Sequence, residues 1–418
     1  MSCASTRERF RLQPKAFTRQ RVLPLPRLVA FMLNLRKGST EQELSGLFSV
    51  LDDEAVANNV PTRAAFSKAR KGLSEKLFGH LNRLAIETFC RGWSTPRWHG
   101  FRLRAVDGTT FRLPPGEALE RSFGAQQNGP TLARGSILYD IGHDLVLDAQ
   151  VAATCVGEHE LAIEHLAHAA PGDLLIYDRG YPAFWFFALH LSLGIDFCMR
   201  LSRSSFAPAQ AFFESTERSR IVTLTPSAEQ RRACRDQGVA SAPIRVRLVR
   251  VRLRGGETEV LATSVLEEER LPARLFGALY HQRWSAEEHI KRQKRWAEIE
   301  NLSGRSALAV RQDIQAKILA MNLAAMVRNL AQLLAERRFA HRRFRYQVRA
   351  CSTLSAMKDN LVRLLLIGDG DQQRRLLERL VLHLASAVDA VRPNRSFPRQ
   401  NPGKLKPGFH PAYKRAAC

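Results

Sequence analysis

The chain has 418 residues, 45% of them hydrophobic, which is enough for a large buried core and for two or three domains. Its 64 lysines and arginines against 40 acids leave a formal net charge of +24. An excess of this size favours a polyanionic partner, most simply nucleic acid, through counterion release, although a ribosomal or membrane-surface protein can be as basic. The seven cysteines (Cys3, Cys90, Cys155, Cys198, Cys234, Cys351, Cys418) are odd in number and include no C-x-x-C pair. That argues against a disulfide framework or a zinc site and fits a reducing cytoplasm. The opening MSCASTRERFRLQPK has no hydrophobic signal core. The most apolar stretch, Ala183 to Ile195, is too short to span a bilayer, so no membrane partner is expected.

Residues 1–95 read as helical. Pro26 to Leu35 is apolar, and Ser39-Thr40 precedes Leu44, Leu47, Phe48 and Leu51 at helical spacing. Thr62 is placed to cap a short helix that Gly72 stops, and Ser74 to cap the next. In that next helix Leu77, Leu81, Leu84, Ile86 and Phe89 make a buried face. The short middle helix carries Arg63, Lys68, Arg70 and Lys71. It suits either a DNA groove, as in a helix-turn-helix unit, or an ordinary solvated face.

The texture changes at residue 96. Phe101 to Val106 alternates and ends in Asp107-Gly108, and Thr110 to Leu113 reads as a second short strand. Ser136 to Ile141 and Leu145 to Val151 flank a hairpin turn, in which Asp140, Asp144 and Asp148 suit turn residues. A helix over Gly157 to Ala169 leads to Leu174–Tyr177, wholly apolar and therefore a buried central strand. That strand delivers Asp178. A helix over Ala183 to Leu193 and a strand over Asp196 to Leu201 follow, and the mixture points to an α/β sheet covered on both faces. Residues 202–268 are β-rich: Ile221–Leu224, Ile244–Leu253 and Glu259–Leu266 are strand-like, and a phase switch near Val249–Arg250 suggests a bulge.

The stretch Leu279 to Leu302 lacks Gly and Pro and reads as one helix. On it Tyr280, Arg283, Glu287 and Lys294 fall within roughly 60° of one face. A phenol, a guanidinium, a carboxylate and an ammonium on one face suit a metal-binding carboxylate flanked by phosphate-binding cations, or else a solvated row of ion pairs. Trp284 and Trp296 are expected to pack against the sheet, Glu288 to face solvent or a salt bridge. His143, His159, His281 and His289 read as surface or loop residues. Gln312 to Arg337, Ser355 to Leu366 and Gln372 to Val391 read as helices, and from Arg392 a basic, acid-free tail reads as a DNA-tracking arm. No internal repeat is present.

Asp107 and Asp178 thus stand where strands end, and Glu287 can reach them from a helix packed on the sheet. Converging carboxylates repel one another unless cations neutralise them, and hard oxygen donors select Mg²⁺ or Mn²⁺.

AVDGTTFRLP (Ala105–Pro114), LLIYDRGY (Leu174–Tyr181), LATSV (Leu261–Val265) and the spacing Tyr280-x2-Arg283-x3-Glu287-x6-Lys294 resemble bacterial DDE transposases of insertion sequences, the group with the Tyr-Arg-Glu-Lys signature. ENLSGRSALAVRQDIQAKILAMNL, TRAAFSKARKGLS and RSFPRQ are similar to other segments of that group. The resemblance implies an α/β, ribonuclease-H-like catalytic core interrupted by a β-rich insertion. It implies a helical N-terminal DNA-binding domain (1–95), a core in two parts (96–201 and 269–336), the insertion (202–268), and a helical, basic C-terminal region (337–418). By position, Asp107, Asp178 and Glu287 would be the catalytic metal ligands, for Mg²⁺ with Mn²⁺ as a substitute. Tyr280, Arg283 and Lys294 would bind DNA phosphates. Arg63, Lys68, Arg70 and Lys71 are the candidates for recognising the element ends. The implied activity is cut-and-paste transposition on double-stranded DNA by a homodimer in a bacterial cytoplasm. A non-catalytic DNA-binding relic or repressor, a nuclease without strand transfer and a structural nucleoprotein are the alternatives.

Overall fold

The computed structural model describes residues 4–18, 22–52, 59–126, 129–253 and 256–392. The tail that sequence reading assigns to a DNA-tracking arm lies, from residue 393 on, outside the described residues.

Eight strands form one mixed sheet: β1 (Arg102–Arg112), β2 (Leu132–Asp140), β3 (Leu145–Ala152), β4 (Asp173–Tyr177), β5 (Asp196–Leu201), β6 (Ser219–Leu224), β7 (Ile244–Arg252) and β8 (Thr258–Thr263). Their order is β3-β2-β1-β4-β5-β8-β7-β6. The strands β1, β4 and β5 are parallel, and the other pairings are antiparallel. The three strands of the β-rich segment therefore extend the main sheet. Every residue of β4 is buried, as its unbroken apolar run requires of a central strand covered on both faces.

Two expectations change in these strands. The two short strands expected around Asp107-Gly108 are one strand, because β2 pairs with β1 without interruption from Arg104 to Arg112. The expected bulge near Val249 is absent: β7 keeps an unbroken register with β8, and Arg247 occupies an inward position. Its guanidinium is buried, donating to Ser219 Oγ and the Leu271 carbonyl and pairing with Glu268. An arginine at an apolar position makes a regular alternation look shifted.

Helices cover both faces. On one side α7 (Glu158–Leu166), α8 (Phe184–Ser192), α9 (Ala207–Glu214) and α10 (Ala228–Asp236) pack on Val106, Leu175, Phe197 and Leu248. On the other lie α6 (Glu117–Phe123), α11 (Phe276–His281), α12 (Trp284–Arg295) and the long α13 (Ala307–Arg338). Each fully buried Phe of α8 contributes about 1.5–3 kcal/mol. The membrane-length helix α13 is mostly buried, and it is the axis of a second core. Around it pack α2 (Leu25–Leu33), α3 (Thr40–Asp52), α4 (Arg63–Arg70) and α5 (Lys76–Arg91). The C-terminal helices α14 (Ala350–Met357), α15 (Asn360–Leu366) and α16 (Gly370–Leu384) join the same core, and α1 (Ala4–Phe10) enters it through Phe10. A small two-stranded antiparallel sheet of β9 (Arg345–Val348) and β10 (Val388–Val391), which bracket α14 to α16, closes the described C-terminal part.

Three expected helices are broken. Leu279–Leu302 splits at Gln282–Arg283, where i to i−3 hydrogen bonds tighten the turn, and stops at Arg295. Beyond it Glu298 has positive φ, and buried Lys317 Nζ donates to the Glu298 and Asn301 carbonyls. Ser355–Leu366 breaks at Asp359, also at positive φ, whose carboxylate and amide bond Asn34. Gln372–Val391 ends as a helix at Leu384, and its last residues pair with β9. Leu84, expected to be buried, is 43% exposed.

Candidate active site

Parallel pairing of β1 with β4 ends at Ala105 opposite Ile176. Two residues further, the same register sets Asp107 beside Asp178. Asp178 leaves the end of β4, whereas Asp107 lies within β1, just past the point where β4 stops and only β2 still pairs with it. Each carboxylate accepts from a nearby glycine amide: Asp107 Oδ1 from Gly108 at 3.1 Å, Asp178 Oδ1 from Gly180 at 2.8 Å.

Helix α12 lies along β1. Arg283 donates to Glu287 Oε1 at 2.6 Å, and its Nη1 is 4.0 Å from Asp107 Oδ1. The Arg283 side chain is 9% exposed and lies 5.7 Å from the Tyr280 ring centroid. Further along, Lys294 Nζ donates to the Thr110 carbonyl at 2.6 Å and pairs with Glu300, which also accepts from the Arg112 amide. Arg283, Glu287 and Lys294 therefore share the β1 side of α12, while Tyr280, buried in α11, lies near Arg200 of β5 and Glu259 of β8.

Burial is the main reason the Asp107 carboxyl is pushed up to about 6; Glu287 and Asp178 add to it, against the pull of Arg283. Burial likewise pushes the Tyr280 phenol above the usual tyrosine range. Among the described residues no three acidic, histidine or cysteine side chains converge closely enough to hold a metal ion as they stand. The guanidinium of Arg283 instead stands between Asp107 and Glu287 and neutralises both. The donor set still fits a divalent cation. It consists of hard carboxylate oxygens, and burial, helped by the charges of Glu287 and Asp178, disfavours ionisation of Asp107 in a way that a bound cation would offset.

The face of α12 turned from β1 is held by residues that sequence reading placed at the surface. His289 is 2% exposed. It and Arg292 bond Asp144, which also pairs with Arg328 of α13 and accepts from the Tyr139 hydroxyl. His143 is buried too and bonds Asp140. Asp148 bonds His165. The hairpin acids thus serve buried ion pairs, a role that a turn-like sequence context hides. Trp284 and Trp296, expected to pack on the sheet, are 36% and 37% exposed. Glu288 pairs with Lys291 on the outer surface.

In α4, Thr62 caps the helix by accepting from the Ala65 amide. Arg63, Lys68 and Lys71 are exposed. Arg70 is not: it is 4% exposed and donates to Asp313, Gln312, Ser303 and the Ala309 carbonyl. It docks the helix onto α13, so its expected contact with DNA is withdrawn.

Two residues near the carboxylates are given no role by sequence reading, although Tyr181 ends the motif LLIYDRGY. Glu158, in the first turn of α7, lies against Gly108 and Gly180, and the buried Tyr181 lies close to both Asp178 and Glu158.

Residues 98–323, more than half of the chain, match the family model described as Transposase DDE domain. Among solved structures, the chain is similar to one described as a cryo-EM structure of the piggyBac transposase synaptic complex with hairpin DNA. The two share 11% identity at a TM-score of 0.42, over 92% of this chain and 77% of that chain, a likeness too weak to carry an argument. No curated protein matches.

Proposed function

The chain belongs to the transposase DDE domain family, and from that premise we propose that it cuts and rejoins DNA at a site built from Asp107, Asp178 and Glu287. The observation that supports this reading is Arg283 reaching both Asp107 and Glu287, with the β1–β4 register setting Asp178 beside Asp107. A divalent cation, Mg²⁺ or in its place Mn²⁺, held by the three carboxylates, would neutralise them and activate the attacking oxygen.

The protein's own groups do the rest. Arg283 leaves Glu287 to meet a phosphate oxygen, where its planar fork stabilises the charge that develops at phosphorus. Tyr280 holds the guanidinium from beneath. Lys294 contacts a neighbouring phosphate. The order β3-β2-β1-β4-β5 supports a ribonuclease-H-like core, with 202–268 inserted before Glu287 and continuing the sheet. Residues 1–95 recognise the element ends through Arg63, Lys68 and Lys71, and residues 337–418 contact DNA or a second copy. The reaction is cut-and-paste transposition of a bacterial insertion sequence by a homodimer in the cytoplasm.

Strand transfer separates this reading from a simple nuclease. Purified protein given a pre-cleaved element end and a supercoiled target plasmid should join the 3′-OH to the target. Release of nicked or cut DNA without joined product would leave a nuclease.

A further inference from the structure

Glu158 and Tyr181 are unused by the site as described, yet both face it. The carboxylate of Glu158 spans two glycines that adjoin the proposed ligands. Its Oε1 lies 3.6 Å from where a side-chain carbon on Gly108 would stand, and its Oε2 lies 3.7 Å from the same point on Gly180. Gly108 follows Asp107, and Gly180 donates to Asp178. Both distances are ordinary contacts, and they place this carboxylate against the residue that follows Asp107 and the residue that donates to Asp178.

The position of Glu158 is fixed from two directions. Arg134 of β2 donates to the Val156 carbonyl at 2.7 Å, holding the turn that enters α7. His159 Nε2 donates to the Tyr181 carbonyl at 2.9 Å, tying the first turn of α7 to the loop after Asp178. An acid in the first turn of a helix is favoured by the helix dipole. That preference explains the residue type but not the two anchors.

Tyr181 supplies an independent sign. Its side chain is 2% exposed, and its hydroxyl is buried without a hydrogen-bond partner. Burial and the negative charges of Glu158, Asp178 and Asp107 hold the phenol far above its usual range. A buried, unpaired O–H is costly, and here it lies near carboxylates that can accept from it.

We propose that Glu158 is a fourth carboxylate of the catalytic site, brought by α7 as Glu287 is brought by α12, and that the Tyr181 hydroxyl positions it once a divalent cation is bound. This rests on the reading of Asp107, Asp178 and Glu287 as a cation site. Glu158 adds a hard oxygen donor on the Asp107–Asp178 side, and Tyr181 gains its missing acceptor.

The test is Mn²⁺ affinity of the full chain without DNA, read by electron paramagnetic resonance of the unbound ion. Wild type is compared with Glu158→Gln, Glu158→Asp, Tyr181→Phe, Asp178→Asn and, as a control on the exposed face of α7, Glu164→Gln. Glu158→Gln should weaken Mn²⁺ binding roughly tenfold, Tyr181→Phe less, with partial recovery in Glu158→Asp and no change in Glu164→Gln. Circular dichroism should match wild type for Glu158→Gln. Loss in Asp178→Asn with wild-type affinity in Glu158→Gln would overturn the inference and leave the three-carboxylate site standing. Wild-type affinity in Asp178→Asn would overturn both.

Discussion

Asp107 is held protonated by its surroundings to a higher pH than a free aspartate, at about 6, chiefly through burial and then through Glu287 and Asp178. Its folded value lies above its unfolded one. The stability it contributes is therefore fully present below about pH 4 and is lost as pH rises through about 6. Asp107→Asn should raise the metal-free melting free energy at pH 8 by on the order of 1–3 kcal/mol and leave it unchanged below pH 4. Mg²⁺ should stabilise the wild type at pH 8 and not the variant. A gain equal at both pH values in calorimetry would contradict this. At the same scale, Asp178 and Glu287 stand out in the sequence because an apolar run ends at one and a cationic helix face carries the other. The burial of Arg70 and His289 escapes a local reading because it is set by partners far along the chain, Asp313 and Asp144, which no local pattern encodes.

Among the elements, α12 decides whether Glu287 and Arg283 reach β1. It is clamped from behind by Asp144, to which His289, Arg292 and Arg328 of α13 all converge. The field of Arg328, with hydrogen bonds from His289 and Arg292, holds the Asp144 carboxyl well below the usual range although it is buried. Removing one partner of a buried ionic network costs about 3–5 kcal/mol, because the remaining charges lose their compensation. Asp144→Ala should lower stability by that amount in urea unfolding and speed hydrogen exchange in residues 284–295 more than in β4. A uniform increase across the chain would place the effect in global stability alone. The existence of the sheet and of most helices was legible from periodicity. The breaks at Gln282–Arg283 and Asp359 were not, because neither position carries Gly or Pro; the bonds from Lys317 and Asn34 that pin the chain beyond Arg295 and at Asp359 come from distant elements.

For the whole molecule, α13 joins two cores. Asp313 binds Arg36 of the loop between α2 and α3 and Arg70 of α4, and Asn322 bonds both Asn82 of α5 and the Val146 carbonyl of β3. The N-terminal helices are thereby docked against the same long helix that packs on the sheet, a joint that separate helical and sheet-like textures along the chain do not reveal. The net charge of +24 predicts tight, salt-sensitive DNA binding. Arg63→Ala with Lys68→Ala should weaken binding to element ends roughly three- to tenfold more than binding to random DNA. Equal loss in a competition assay would remove α4 from end recognition. The central claim, that Asp107, Asp178 and Glu287 form a working DNA-cutting site, is tested most directly by cleavage. Purified protein and its Asp178→Asn variant are given linear DNA carrying the element end, with Mg²⁺ and then with Mn²⁺. We expect the wild type to nick at the element boundary and the variant to bind without cutting. If both bind and neither cuts with either ion, the protein is a DNA-binding relic and the account of the site is wrong.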